Sequence, residues 1–385
     1  MKKRFLGVLL VIAILFSMSV IPPLRAAALP DGASLSLSAE SAVLIDCSDG
    51  QILYEKNAHA RMGMASTTKI MTALVAAEDA DIYKEVTVTK EAVGIEGSSV
   101  YLAEGEKLSL CELLYALLLA SANDAAVAIA IERCGSVERF VERMNEKALE
   151  LGLKDTHFVN PHGLYDEAHY TTAYELALIS AEAIKEPTVS KIASTYRTSI
   201  SGGGSKSGRF LLNHNKLLRL YDGAIGLKTG FTKKTGRCLV SAVRREGLCL
   251  IAVTLNAPDD WNDHIKLLDL GFESYEAVTL YDVGEFTYLL PVTGGKDMYA
   301  LLSNTEAIIL TLPKNRGRVT EQILTHRRFE FAPVREGAIL GTLVCLCGGR
   351  RASSSLSVAA EVWEADNGGG GLFASVRNFF DRLFS

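Results

Sequence analysis

The chain has 385 residues, of which 48% are hydrophobic and 22% charged, a composition typical of globular proteins and long enough for two domains. Its formal net charge of -5 argues against a nucleic-acid-binding protein, because such proteins usually carry a basic surface. The sequence contains no long basic stretch that would change this conclusion.

The N-terminal segment, residues 1–28, has the organisation of a secretory signal peptide. Basic residues at 2–4 precede an apolar run over 5–20, and three alanines at 26–28 provide a cleavage site. The apolar run is shorter than the roughly 20 residues that span a bilayer, so an uncleaved anchor is the weaker alternative. We therefore predict export, with Leu29 as the first residue of the mature protein.

Strand and helix patterns alternate over residues 29–275. Apolar runs at 41–45 and 51–54 flank Asp49-Gly50 and predict a hairpin, and a second hairpin is predicted from 238–243 and 248–255. Helices are predicted over 66–80, 110–120, 137–151, 172–185 and 263–270, the second of them opened by a capping box of Ser109 and Glu112. Because strands at both ends enclose the helices, we predict an α+β domain whose N- and C-terminal strands share one sheet.

Short strand-like segments separated by turn residues begin near residue 278. They lie at 286–292, 307–311, 327–331, 338–345 and 355–363. This pattern predicts a small all-β domain over 278–366.

The last segment, residues 367–385, combines a hinge of four glycines with an amphipathic pattern. At 100° per residue, the apolar side chains of the last fourteen residues fall within an arc of roughly 140°. Such a helix can lie in a membrane interface, and we predict that it associates with a membrane surface. The alternative is a helix that packs back on the β domain.

Seven cysteines show neither a disulfide framework nor the spacing of a metal site. We expect most of them to be buried as small hydrophobic side chains, with Cys345 and Cys347 on the same face of a strand. The histidines show no metal-binding spacing either. We therefore predict no metal and no cofactor.

The segment Ala65-Ser66-Thr67-Thr68-Lys69 could supply a nucleophile and its base. If Ser66 begins a helix, Lys69 lies one turn along on the same face, and a lysine amine of lowered pKa can accept the hydroxyl proton. The backbone N–H of Ser66 at the helix N-terminus is then free to face an oxyanion. Ser-x-x-Lys alone is a weak signal, and a plain helix start is the alternative.

A polar triplet, Ser121-Ala122-Asn123, follows the apolar helix predicted at 110–120. In a catalytic site Ser121 would relay a proton to the leaving group, and Asn123 would hold an amide of the substrate. The alternatives are a helix cap or a buried turn.

The third candidate is Lys228-Thr229-Gly230, which follows a stretch punctuated by glycines. A strand edge with glycines lets a peptide pair close to the backbone, and a lysine with a hydroxyl can hold a terminal carboxylate. The triplet recurs at 234–236. We prefer the first copy because Phe231-Thr232 extends it as a strand, whereas the second lies in a charged turn.

Together these three elements match the S-x-x-K, Ser/Asn triplet and K-T-G set of β-lactamases and penicillin-binding proteins. The chain resembles the low-molecular-mass D-alanyl-D-alanine carboxypeptidases of the penicillin-binding protein 5 and sporulation type, from about Ala39 to the C-terminus. The segments that carry the resemblance are 65–72, 121–124, 160–164, 213–218 and 226–232. It implies a DD-peptidase-like catalytic domain, with a central antiparallel sheet and a helical subdomain, followed by the β domain and the tail.

The resemblance also implies catalytic roles. Ser66 is expected to be the acylated nucleophile, with Lys69 as its general base and Ser121 in proton transfer. The oxyanion hole is expected at the backbone N–H groups of Ser66 and Phe231. Some relatives carry histidine in place of Phe231, but only its backbone amide is needed.

Substrate-binding roles follow in the same way. Asn123 is expected to position the substrate, and Lys228, Thr229 and Gly230 to bind the end that carries the D-alanine carboxylate. The implied partners are peptidoglycan stem peptides ending in D-Ala-D-Ala, and β-lactam antibiotics as covalent inhibitors, at the outer face of the cytoplasmic membrane or in the cell wall.

Two other functions share this scaffold. A β-lactamase needs fast deacylation, for which class A enzymes use an additional glutamate that cannot be assigned here. An inactive cell-wall-binding protein is the other alternative, and the intact motifs argue against it.

Overall fold

The computed structural model describes residues 35–202, 208–315, 319–347 and 350–365. The signal peptide, glycine hinge and amphipathic tail predicted above lie outside these residues. The described chain forms two compact units, one containing the residues up to Leu280 together with those from Ile309 to 315, and the other containing Tyr281–Ile308 and the residues from 319 onward. No helix among the described residues is long and apolar enough to span a membrane.

The elements are numbered in chain order within the described residues. The helices are α1 (Lys69–Ala77), α2 (Leu110–Leu119), α3 (Asn123–Cys134), α4 (Val137–Glu150), α5 (Ala173–Ala183), α6 (Pro187–Ser194), α7 (Leu217–Leu220) and α8 (Asp260–Ser274), with short 3-10 helices at Ala65–Thr68 and Lys90–Ala92. The strands are β1 (Ser41–Asp46), β2 (Ile52–Lys56), β3 (Glu85–Thr87), β4 (Lys107–Ser109), β5 (Arg197–Ile200), β6 (Arg209–Leu212), β7 (Ala224–Thr232), β8 (Gly236–Arg245), β9 (Leu248–Leu255), β10 (Tyr275–Tyr281), β11 (Thr287–Thr293), β12 (Tyr299–Asn304), β13 (Ile308–Pro313), β14 (Thr320–Thr325), β15 (Glu330–Phe331), β16 (Ile339–Cys347) and β17 (Arg350–Val358).

A five-stranded antiparallel sheet, in the order β2-β1-β9-β8-β7, is the frame of the larger unit. Both predicted hairpins are present, and β1 pairs with β9, so the prediction that the N- and C-terminal strands share a sheet is confirmed. Successive residues of β1 join different cores, Val43 on one face and Leu44 on the other. Both faces are therefore covered, by α8 on the Leu44 side and by the other long helices on the Val43 side.

The helices on the Val43 side of the sheet hold α1 with its N-terminal end at the site described below. The capping box of Ser109 and Glu112 opens α2 as predicted, since each side chain bonds the other residue's backbone N–H. Every residue of α1 is buried, and this helix packs against α2 and α5. Because α1 is enclosed along its length, the turn that precedes it is fixed in position.

The smaller unit contains a six-stranded sheet in the order β14-β16-β17-β12-β11-β15. One predicted strand of the all-β region, at 307–311, instead forms β13, which pairs with β10 and belongs to the larger unit. Strands β12 and β14 were not predicted from the sequence. A short apolar run indicates a strand but not the strand with which it pairs.

The expectation that cysteines show no disulfide framework is wrong for one pair. Cys47 follows β1 and Cys249 lies on β9, and the two form a disulfide with Cα atoms 5.5 Å apart across 202 residues of sequence. Only the pairing of β1 with β9 brings them together, which sequence spacing does not reveal. Cys345 and Cys347 are both buried on β16, as expected.

Candidate active site

Ser66 lies in the 3-10 turn Ala65–Thr68 that leads directly into α1. Ala65 has a φ of 46°, a left-handed conformation that is unfavourable for a residue with a Cβ. The turn is held by side chains, because the Thr67 hydroxyl donates to the Met64 carbonyl at 2.6 Å and the Thr68 hydroxyl donates to the Ala65 carbonyl at 2.7 Å. Ser66 itself is half-buried and lines an open cleft.

His169 supports the same turn from behind. Its Nδ1 accepts a hydrogen bond from the backbone N–H of Val159 at 3.1 Å, so its Nε2 carries the proton that is donated to the Thr68 hydroxyl at 2.8 Å. Burial lowers the pKa of His169 to about 4, which keeps the ring neutral. No sequence motif predicts this role for His169.

Lys69 lies beneath Ser66 with its side chain fully buried. Its Nζ is 3.0 Å from the Ser66 Oγ, 2.7 Å from the Asn123 Oδ1 and 2.6 Å from the carbonyl oxygen of His162. Burial is the main cause that lowers the pKa of Lys69 well below its ordinary value; the positive charge of Lys228 adds to this, and Asp124 opposes it. Burial therefore makes the neutral amine of Lys69 more accessible than that of an exposed lysine.

These contacts determine where the lone pair of a neutral Lys69 lies. A neutral amine has two N–H donors and one lone pair, and the two carbonyl oxygens of Asn123 and His162 can only accept. When both N–H groups bond to these oxygens, the lone pair is left for the hydroxyl proton of Ser66. The arrangement therefore orients Lys69 as a base toward Ser66.

Asn123 begins α3 and is oriented at both ends of its amide. Its Oδ1 accepts from Lys69, and its Nδ2 donates to the carbonyl oxygen of Glu96 at 2.5 Å. Ser121, two residues earlier, is buried and lines the same cleft as Ser66. The structure thus places Asn123 against Lys69, and Ser121 in the cleft with Ser66.

Strand β7 lines the cleft beside Ser66 and contains the first Lys-Thr-Gly copy, residues 228–230. A Cβ on Gly230 would lie 2.9 Å from the Ser66 backbone nitrogen, so glycine allows the strand to come this close. Thr229, Gly230 and Phe231 line the cleft with Ser66. Lys228 is buried, donates to the Thr229 carbonyl at 2.8 Å, and has a pKa lowered by burial to about 7.

The second Lys-Thr-Gly copy, residues 234–236, lies at the turn between β7 and β8. The hydroxyl groups of Thr232 and Thr235 bond each other at 2.9 Å and close this turn. None of the three residues lines the cleft. The first triplet therefore contributes to the cleft and the second does not, although in the sequence they differ only in their neighbouring residues.

The loop at 160–164 contacts the base through its backbone. His162 supplies the carbonyl that Lys69 contacts, and the Thr72 hydroxyl donates to the Pro161 carbonyl at 2.6 Å. Burial, followed by the charge of Lys69, lowers the pKa of the His162 ring to about 3. The role of His162 is thus carried by its main chain, which no residue pattern reveals.

The cleft has a volume of about 570 Å³ and is lined by more residues than the motifs predicted. The additional lining residues include Tyr196, Lys216, Arg219, Arg237 and Trp261. The segment 213–218 had been noted only as part of the resemblance. Among the described residues, no group of three His, Cys, Asp or Glu side chains is arranged to hold a metal ion.

Known proteins with the same features were found at the levels of both sequence and structure. The family model described as "D-alanyl-D-alanine carboxypeptidase" matches residues 27–259. The D-alanyl-D-alanine carboxypeptidase DacF of Bacillus subtilis is 35% identical over 372 residues, covering 93% of this chain and 94% of that protein. DacA of Escherichia coli is 32% identical over 325 residues, covering 80% of this chain and 79% of that protein. The crystal structure of penicillin binding protein 5 from Haemophilus influenzae superposes with a TM-score of 0.71 at 28% identity, covering 86% of this chain and 100% of that one.

Proposed function

The chain belongs to the D-alanyl-D-alanine carboxypeptidase family, and we propose that it removes the terminal D-alanine of peptidoglycan stem peptides through an acyl-enzyme on Ser66. The observation that carries this proposal is the buried Lys69 amine, held by two carbonyl oxygens and directed at the Ser66 hydroxyl. Because the relatives are carboxypeptidases, this function is favoured over a β-lactamase or an inactive wall-binding protein.

Acylation begins with proton transfer within the Ser66–Lys69 pair. The Lys69 amine takes the Ser66 hydroxyl proton while Oγ attacks the carbonyl carbon between the two D-alanines. The negative charge that develops on the carbonyl oxygen is held by the backbone N–H groups of Ser66 and Phe231. The close approach of Gly230 to Ser66 supports this pairing of donors.

Collapse of the tetrahedral intermediate breaks the C–N bond and releases D-alanine. The proton on Lys69 passes to the leaving amine, with Ser121 as the relay at the cleft wall. Water then hydrolyses the ester on Ser66. A β-lactam ring reacts at the same hydroxyl and leaves a long-lived ester.

The terminal carboxylate binds at β7. Lys228 is buried, and Thr229 lines the cleft beside Ser66. Asn123 positions the substrate amide with its oriented side chain. This places the leaving residue along β7 on the Lys228 side of Ser66.

We infer that the protein is exported and associates with the membrane surface. The signal-peptide pattern at 1–28 predicts export, and the amphipathic pattern after the glycine hinge predicts association with the membrane surface. Deleting residues 372–385 is expected to release the exported protein from membranes while it still hydrolyses a soluble peptide. A deletion variant that stayed on the membrane would contradict this assignment.

Labelled benzylpenicillin and a peptide ending in D-Ala-D-Ala test the mechanism together. A lasting label with D-alanine release supports the proposal, rapid drug turnover supports a β-lactamase, and no label supports an inactive protein. Ser66→Ala is expected to abolish both label and release. Ser98→Ala, which removes another hydroxyl from the same cleft, is the matched control. A label that persisted in folded Ser66→Ala would show that the nucleophile is misassigned.

A further inference from the structure

Two basic residues that line the cleft have no role in the chemistry proposed at Ser66. Lys216 and Arg219, here called the cationic rim, line the same cleft as Ser66. Within the described residues neither forms an ion pair, whereas the neighbouring Arg237 is neutralised by Asp260 at 2.9 Å. The cleft therefore has an excess of positive charge, although the chain as a whole carries a net charge of -5.

Aromatic rings hold both cations of the rim. The Lys216 Nζ lies 5.7 Å from the centre of the Trp261 ring, and the Arg219 Cζ lies 5.0 Å from the centre of the Tyr196 ring. A cation over a ring keeps its donors available at its other sides, so each can still bond an anion.

The backbone that carries the rim is rigid. The Asn213 Oδ1 accepts from the Asn215 N–H at 2.9 Å, and the Asn215 Oδ1 accepts from the Leu217 N–H at 3.0 Å. Both asparagine side chains are buried, and the Asn213 amide donates to the Ala193 carbonyl at 3.0 Å. The two cations therefore project from a segment that needs no reordering to bind a ligand.

Position along β7 indicates which part of a substrate reaches the rim. Gly230 lies against Ser66, the carboxylate position at Lys228 and Thr229 comes next toward the N-terminal end of the strand, and Gly226 follows. A Cβ on Gly226 would meet the Ala193 carbonyl, the same group that Asn213 bonds. The segment 213–219, which carries the cationic rim, therefore lies on the side of Ser66 where the leaving residue is proposed to extend.

We propose that Lys216 and Arg219 form a subsite for a second carboxylate on the leaving residue, so that the enzyme prefers acidic over neutral leaving groups of equal size. The inference rests on the proposed function, because it takes the terminal carboxylate to bind at Lys228 and Thr229. Its ligand class is a terminal D-amino acid, or a larger leaving group, whose side chain is anionic.

Three peptides with the same acyl part and different last residues test the subsite. They end in D-Ala followed by D-Glu, D-Gln or D-Ala, and the release of the last residue gives kcat/KM for each. The wild type is expected to prefer D-Glu over D-Gln about three- to tenfold, since exposed ion pairs are individually weak. The preference should decrease with added salt.

The double variant Lys216→Gln/Arg219→Gln is expected to bring the D-Glu to D-Gln ratio to about one. Lys233→Gln/Lys234→Gln is the matched control, because it removes the same charge from the exposed turn between β7 and β8, outside the cleft. The subsite would be overturned if the rim variant kept the wild-type D-Glu to D-Gln ratio, or if the control lost as much of that ratio. It would also be overturned if the wild type released D-Ala but did not favour D-Glu. Failure to release D-Ala, together with absence of a penicillin label, would instead contradict the proposed function.

Discussion

Gly163 provides a sharp test of how the 160–164 loop supports the nucleophile. Its φ is +88°, and a Cβ at this position would lie 1.9 Å from the Ala65 carbonyl oxygen and 2.8 Å from the Thr68 Oγ1. To reach an ordinary contact of 3.4 Å, the loop and the Ser66 turn must separate by about 1.5 Å. The neighbouring His162 carbonyl, which holds Lys69, must then move with the loop.

Gly163→Ala is therefore expected to affect both stability and catalysis. The left-handed backbone costs about 1–2 kcal/mol for alanine, and the displaced packing adds about 1–3 kcal/mol. A shift of this size between nucleophile and base is expected to slow acylation by benzylpenicillin about 100-fold. Urea unfolding measures the stability loss, and the second-order rate of labelling measures the catalytic loss.

Gly152→Ala is the matched control. Gly152 has a φ of +75°, but a Cβ there would meet nothing within 4 Å. This variant is expected to lose only the backbone cost of about 1–2 kcal/mol and to acylate at the wild-type rate. If folded Gly163→Ala acylated as fast as Gly152→Ala, the loop would not be needed to position the Ser66–Lys69 pair.

The other predictions concern charge and the disulfide. Because only neutral Lys69 can accept the Ser66 proton, kcat/KM is expected to fall as pH decreases through the lowered pKa of Lys69. An arginine at this position stays protonated, so Lys69→Arg is expected to abolish labelling at every pH tested. Lys228 has a folded pKa of about 7 against an ordinary 10.5, so the unfolded chain binds more protons between these values and stability should rise with pH there. Lys228→Met should make that rise less steep in urea titrations between pH 7 and 9, with Lys69 still contributing; an unchanged slope would contradict the assignment. Replacing Cys47 and Cys249 by serine is expected to lower the free energy of unfolding by about 2–5 kcal/mol with unchanged acylation, and equal stability of the oxidised wild type and the variant would show that the bridge is not formed.

Local signals made most of the larger unit predictable. The capping residue Ser109 and the apolar run after it determine a helix from contacts within four residues, and the Asp49-Gly50 turn determines a hairpin in the same way. Pairing between distant strands has no such local signal. The partner of β13 and the link between Cys47 and Cys249 therefore could not be read from the sequence.

In the candidate site, too, some contributions could be predicted from the sequence and others could not. Side chains with a distinctive chemical type, such as Ser66, Lys69 and Asn123, were predicted, and the structure brings them together. Contributions from the main chain were missed, because the His162 carbonyl and the space beside Gly163 do not depend on a recognisable residue type. His169 was missed for a different reason: its importance depends on the Ala65–Thr68 turn that it supports, which the sequence does not display.

Burial of two lysines explains why the site needs such an extensive frame. A buried ammonium group is unfavourable, and two near each other are more so, which is the cause of the lowered pKa of Lys69. The fold tolerates this because α1 and β7 are each fixed by cores that contain no catalytic residue, and because Asn123 and His162 offer acceptors that suit a neutral amine. The stability lost by burying Lys69 and Lys228 is therefore linked to the lowered pKa that lets Lys69 act as the base for Ser66. A variant that relieved the burial would be expected to gain stability as it lost acylation.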